Sequence, residues 1–329
     1  MKIFHGTTEI AGQMGILSSA LERKGHCSVG YNTFHSYLGY TDHLINTDEQ
    51  GLMDQYQKIL SNYDLFHFHY ATTLSTDFSD LPEIQKRKKK MIMHHWGNDV
   101  RFHDQARRNN PYVYTGDSPP NEIIHDKLER ISDYIKEAIV QDYEVYDYVK
   151  DYYEKVHVVP IAIEIASFQP AYPSLQKEKP LILHAPTNPD FKGTYFIEKA
   201  IERLKGHYDF DYRRIEKMKH EDVIKLYEEA DIIIDQVRCG SYGLLSVESM
   251  ALGKPVLTYI RSDLVSTFPA ELPIVNTNPD QLDEQVKHLL ENPQLRRELG
   301  IRGRRYVETY HSNDVVVEQL LKIYENIQA

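Results

Sequence analysis

The chain predicts an α/β protein built from two doubly wound parallel-sheet domains. Three observations carry this. Short apolar runs alternate with helical patterns along the whole sequence, the chain is 329 residues long, and a proline-interrupted stretch lies near its middle. Strands alternating with helices imply βαβ units and a mainly parallel sheet. A chain of this length is more than one ordinary core holds, and 41% hydrophobic residues give each half enough material for its own.

The elements follow in order. "KIF" opens as a strand, and an amphipathic segment with Ile10, Met14, Leu17 and Leu21 on one face comes next, closed by Gly25. "CSVGYN", "DLFHFHYA", "KMIMHH", "EAIVQD" and "KVHVVP" continue the series as strands. The stretch 160–179, "PIAIEIASFQPAYPSLQKEK", holds Pro160, Pro170 and Pro173 and ends in charge, as an interdomain linker does. The second half repeats the pattern with "LILHAP", "YDFDYRRI", "ADIIIDQ" and "KPVLTYI". A last helix starts at Ser312 or Asn313 as N-cap. The domains are therefore 1–160, 161–311 and a C-terminal helix, 312–329, that packs back on the first domain. Two doubly wound domains would face each other across a cleft, with ligands at the carboxyl ends of the strands.

Composition narrows the function classes. A net charge of −11 argues against broad nucleic-acid binding, which needs basic surface. Cys27 and Cys239 stand far apart, in neither a metal-ligand spacing nor a redox pair, and fit a reducing cytosol. The N-terminus has no sustained apolar region, and no stretch of about 18 apolar residues occurs. The expectation is a cytoplasmic protein, with peripheral membrane contact open.

Two strand-to-helix turns in the second half can carry chemistry. After "ADIIIDQ", the turn "RCGSYG" leads into a helix starting near Leu244. Unpaired N–H groups at a helix start favour an anion, phosphate above all, and Gly243 lets backbone approach it closely. Glu248 lies one turn in, where a carboxylate can accept two hydrogen bonds from a ribose diol; the alternative is that it pairs with Lys254 or a backbone donor. In "HAPTNPDFKGTYFIEKAIERLK", Lys192-Gly193 introduces a second helix. A lysine there opposes the helix dipole unless it shares an anion with the helix start, or is simply solvated.

"KGT" with its helix, "EEADIIID" and "YGLLSVESMALGKPV" together resemble the nucleotide-sugar half of the retaining glycosyltransferases of family 4, which have the GT-B fold. "VVPIAIEIASF" is similar to that family's crossing segment. The resemblance covers most of 155–329 and extends more loosely to "DLFHFHYA" and "HHWGNDVR". It implies a hexosyl donor bound by Asn188, Lys192, Gly193 and Gly240, with Lys192 on its diphosphate and the loop Ser241, Tyr242, Gly243 and Leu244 cradling diphosphate and sugar. It implies Glu248 on the ribose hydroxyls and no essential metal or cofactor. Three positions depart from the family pattern. Gly240 stands for the glutamate that touches the donor sugar, Pro186 for an arginine, and Trp96 for a histidine. Asp235, Arg214 or Arg238 are the candidates to replace those contacts.

In the first half, "MIMHHWGNDVR" ends a strand with His94, His95, Trp96 and Asp99, and "HFHY" puts His67 and His69 on one strand face. Imidazoles handle protons near neutral pH, and His, Asp and Trp together hold sugar hydroxyls. His94, His95 and Asp99 are accordingly the catalytic or acceptor-orienting candidates; ordinary buried histidines or a metal site are the alternatives. "GTTEIAGQMG" matches the glycine-rich loop after the first strand of GT-B enzymes, with Gly12 near the donor or in a plain turn. The basic run Lys86, Arg87, Lys88, Lys89 and Lys90 reads as a helix end or as a contact with anionic lipid.

These readings point to a glycosyltransferase acting on a nucleotide sugar and a glycan or lipid-linked acceptor, retaining by resemblance. Gly240, Pro186 and Trp96 motivate an alternative, a non-catalytic GT-B subunit; a sugar-nucleotide epimerase is a third.

Overall fold

A computed structural model describes residues 1–328. The chain forms two compact units, each with its own parallel sheet.

The first unit comprises residues 1–105, 118–162 and the chain from 313 onward. Its strands are β1 (Lys2–Thr7), β2 (Cys27–Asn32), β3 (Leu44–Asn46), β4 (Leu65–His69), β5 (Lys90–His95), β6 (Glu137–Val140) and β7 (Lys155–Val158), in the order β3-β2-β1-β4-β5-β6-β7. Every pair is parallel, and the order reverses between β1 and β4, the switch point of a doubly wound sheet. Both faces are buried, as a helix-covered parallel sheet requires. On one face Ile3, Leu65, Ile92 and Ile139 meet Leu17 and Leu21 of the helix Gln13–Arg23 and Val316, Leu320 and Tyr324 of the helix Asn313–Asn326. The C-terminal helix is thus part of the first unit's core. Gln13 fastens the end of this unit, donating from Nε2 to the Ala162 carbonyl and accepting the Ala162 N–H, each at 2.9 Å.

The second unit comprises 106–117 and 163–312. Its strands β8 (Leu181–His184), β9 (Asp211–Arg214), β10 (Ile232–Ile234), β11 (Val256–Thr258) and β12 (Val275–Asn276) lie in the order β12-β11-β10-β8-β9, again all parallel.

Two segments differ from the sequence reading. Residues 106–117, placed above in a first domain of 1–160, belong with the second unit. Asn110 Nδ2 donates to the carbonyls of Arg238 (2.7 Å) and Cys239 (3.0 Å), and Arg238 Nε donates to the Tyr112 carbonyl at 2.6 Å. The stretch read as a linker from 160 to 179 is anchored at particular apolar residues in its first part, while 174–179 are exposed. Ile163 and Phe168 sit in the second unit's core, the Ala171 N–H donates to the Leu252 carbonyl at 2.8 Å, and the Tyr172 ring covers Gly253. Pro160, Pro170 and Pro173 all lie outside helix and strand, and apolar residues between them decide the packing.

Candidate donor site and histidine layer

β8 and β10 are neighbours in the second sheet, so the turns at their carboxyl ends lie side by side. After β8, Asn188 caps a single helical turn, Pro189–Lys192, its Oδ1 accepting the N–H groups of Asp190 and Phe191. Lys192 therefore closes that turn and immediately precedes the helix Thr194–Lys205. Between them Gly193 takes φ +83°, and a Cβ there would lie 2.7 Å from Val237 Cγ2. Glycine is required at this junction.

Lys192 is buried, and its Nζ donates to Asp235 Oδ1 at 2.6 Å. The other Asp235 oxygen accepts the Ser246 hydroxyl at 2.6 Å, from the helix Leu244–Ala251 that follows β10. The ammonium is thus held in place by a wholly buried carboxylate whose two oxygens are both engaged. His184 supports the same region. Its Nδ1–H donates to the Ile234 carbonyl, so Nε2 accepts the Thr194 hydroxyl, each at 2.9 Å. Burial pushes its pKa down to about 4, which keeps the ring neutral.

The second turn is shaped by Gly240, with φ +97°. A Cβ there would fall 2.7 Å from Arg261 Cγ and 3.1 Å from Asn110 Nδ2. A side chain at this position would displace Arg261, which packs over the backbone. The Ser241 carbonyl accepts Gln236 Nε2 at 2.5 Å, and Tyr242 turns inward to Tyr306, His311 and Phe268. Gly243 is extended and precedes Leu244, where the helix begins. Its first N–H groups have no acceptor within the helix.

Glu248 is 4% exposed, and its Oε1 pairs with His220 Nε2 at 2.6 Å. Oε2 makes no hydrogen bond to any described residue. Lys254, the partner weighed above, is instead bound to the carbonyls of Glu228 and Ala171. Burial opposes a charge on His220, but the hydrogen bond and charge of Glu248 outweigh it, so the imidazole pKa is raised.

The contacts proposed to replace the missing family side chains are otherwise committed. Arg238 donates to the carbonyls of Tyr112 and Asp190, and Arg214 pairs with Glu198 and Glu216 on the surface.

In the first unit, strand alternation separates His94 from His95. His95 is fully buried between Asp99 Oδ2 and the Tyr153 hydroxyl, at 2.7 Å each, and Asp99 Oδ1 accepts the N–H groups of Trp96 and Gly97. His94 lies on the other face, stacked on Trp96 at 3.9 Å and joined to His67 at 3.2 Å. The β1–β4–β5 register sets His5 beside His67 and His69 beside His94, so that four imidazoles form one buried layer. Trp96 Nε1 donates to His69 Nδ1, which places the His69 proton on Nε2, towards His5 Nδ1 at 3.0 Å. His5 then carries its own proton on Nε2, which finds no acceptor among the described residues. His67 Nδ1 meets the Tyr324 hydroxyl at 2.5 Å.

Ligand atoms of His5, His67 and His69 lie within 4.8 Å of one another. The His67 and His69 rings are nearly parallel, 7° apart with centroids at 4.4 Å. A metal binds in the plane of an imidazole, so one ring would have to turn before both could hold the same ion. As packed, this is a histidine stack.

Gly12, the remaining candidate, has φ +75° with the Tyr40 ring over it. The start of the helix Gln13–Arg23 is occupied by Glu9, whose oxygens accept the Met14 and Gly15 N–H groups at 3.3 and 3.4 Å. In the basic run, Arg87 bonds Glu83 and Gln57, and Lys90 bonds the Tyr324 carbonyl. No helix among the described residues is long and apolar enough to cross a membrane.

Residues missed in the sequence reading are His220, Ser246 and Glu9. His220 lies 28 positions from Glu248, and no local pattern links them.

The two parallel-sheet α/β units make this a GT-B fold. Residues 181–322, somewhat under half of the chain, match a family model described as glycosyl transferase-like, and this span holds both turns. The chain is similar to Anabaena Alr3699/HepE in complex with UDP and glucose, at 10% identity and a TM-score of 0.69, over 99% of this chain and 100% of that one. A glycosyltransferase from Rickettsia africae shares 15% identity with a TM-score of 0.67, covering 98% and 97%. Sucrose-phosphate synthase from Thermosynechococcus elongatus shares 15% with a TM-score of 0.63, covering 99% and 98%. No curated protein matches the sequence.

Proposed function

We propose that the chain is a glycosyltransferase moving a hexosyl group, with retention, from a nucleoside diphosphate donor to a hydroxyl of a glycan or lipid-linked glycan. The observation that carries this is Glu248, a buried carboxylate one turn inside a helix start, with one oxygen that makes no hydrogen bond to any described residue. Lys192 stands at the adjacent turn, already oriented by Asp235. Charge that grows on a leaving diphosphate would meet that ammonium and the N–H groups at Leu244, an electrostatic stabilisation fixed before the reaction begins. Neither needs a metal, so turnover is expected to persist in EDTA. A uridine diphosphate sugar is the first donor to test, because the HepE structures hold UDP and UDP-glucose. The acceptor role falls to the first unit, where His94, His95 and Asp99, buried and hydrogen-bonded within the unit, would orient the acceptor through the residues they hold. Lys86, Lys88 and Lys89 are proposed to touch anionic lipid, which sedimentation with phosphatidylserine vesicles would reveal.

Calorimetric titration of UDP, GDP, ADP and dTDP tests the assignment. One nucleotide should bind, and Lys192→Ala and Glu248→Ala should each weaken it about tenfold or more, the loss expected for a charge-assisted hydrogen bond. Absence of binding by all four would remove the donor site. Gly240 favours a second reading, a non-catalytic subunit, since it stands in place of the carboxylate that touches the sugar in the family. Binding of the nucleotide without turnover of any nucleotide sugar would select it.

A further inference from the structure

We infer that His220 is a positioning residue of the nucleotide subsite that sets a preference for ribose over deoxyribose, an inference that rests on Glu248 as the ribose ligand. His220 opens the helix His220–Glu229, after β9, and reaches across to Glu248 at the 2.6 Å separation described above. That contact orients a buried carboxylate that makes no other hydrogen bond to the described residues. An ionised carboxylate has about four acceptor positions. His220 takes one on Oε1, and the unengaged Oε2 is left to accept from a vicinal diol. Loss of the imidazole would free the carboxylate to rotate, and that weakens acceptance from two hydroxyls at once. A deoxyribose offers only one of them, so the effect of His220 appears in the difference between the two sugars.

The experiment is titration of UDP and 2′-deoxy-UDP into the full chain and its Glu248→Ala, His220→Ala and His220→Gln variants, with the ratio of the two affinities as readout. Binding of 2′-deoxy-UDP, which keeps only its 3′-hydroxyl contact and should weaken less than UDP, serves as an internal check that the site is folded. His220→Ala should lower the ratio about tenfold, close to the Glu248→Ala value, as loss of a hydrogen bond to a charged group predicts. His220→Gln, whose amide N–H can still donate to the carboxylate, should recover most of it. A ratio that falls in Glu248→Ala and holds in His220→Ala overturns the role of His220 while leaving the ribose reading intact. Equal weakening of both nucleotides by His220→Ala overturns it too, since that marks a merely structural residue. A ratio unchanged by Glu248→Ala overturns the ribose reading itself.

Discussion

At the scale of single residues, Gly240 and the Lys192–Asp235 pair show how the same stretch of sequence yields two kinds of evidence. Gly240 replaces a carboxylate in the family pattern, and its left-handed backbone under Arg261 shows that the surrounding structure is built around the absent side chain. Gly240→Ala should therefore destabilise the chain by about 1–3 kcal/mol, from left-handed strain and overpacking together. A shift of the urea midpoint below a few tenths molar would refute that. Lys192 and Asp235 form a buried ion pair, and breaking such a pair from one side costs about 3–5 kcal/mol because the other charge is stranded. Asp235→Leu alone should show that loss. Lys192→Met/Asp235→Leu should recover much of it, and a double variant as unstable as the single one would mean that the two groups are not coupled.

Helices and strands were legible in the sequence where their patterns were long. The β8 and β10 runs and the helix after Gly243 fall where the apolar periodicity puts them. The edge strands β3 and β12, three and two residues long, escape because so few residues carry no period. The partner of Glu248 escapes for a different reason: spacing along a helix speaks only of neighbours three or four residues away. Glu9 escapes likewise, since its partners arise from a turn that the local sequence does not announce. Its carboxyl sits at the start of the helix Gln13–Arg23, and burial, outweighing the N–H groups it accepts, raises its pKa to about 8. A carboxyl raised in the folded state contributes stability that is complete below its unfolded pKa of about 4.5 and lost as pH climbs through 8. Glu9→Gln cannot ionise and should flatten this decline. The variant should gain about 1–3 kcal/mol on the parent between pH 5 and pH 8, measured by urea unfolding at both. Parallel stability curves would show that Glu9 is already ionised at neutral pH.

Across the whole molecule, the buried histidines are distributed unevenly, and this predicts the order in which acid takes the two units apart. Burial depresses His5 to about 3 and His67, His69 and His94 well below the ordinary imidazole value, all in the first unit. His184 in the second unit is depressed to about 4 by the same cause. For each, the unfolded ring takes up a proton near pH 6.5 while the folded ring does not. Stability is therefore whole above 6.5 and falls as pH drops towards the folded pKa, by at most about 1.4 kcal/mol per pH unit per ring. Glu9 opposes this in the first unit between 8 and 4.5, and Asp80, also raised by burial, opposes it at lower pH, but two carboxyls are set against four rings. The first unit then loses up to about 4 kcal/mol per pH unit below 6.5, and the second about 1.4 from its one ring, against a total stability of roughly 5–15 kcal/mol. The first unit should open between about pH 5.5 and 4.5, before the second. The chain's single tryptophan, Trp96, lies stacked in the histidine layer, so its fluorescence reports the first unit alone. A tryptophan transition at least half a pH unit above the loss of helical circular dichroism is the expected outcome. Coincident transitions would mean that the units unfold as one, and a tryptophan signal unchanged to pH 4 would mean that the imidazoles are protonated without cost.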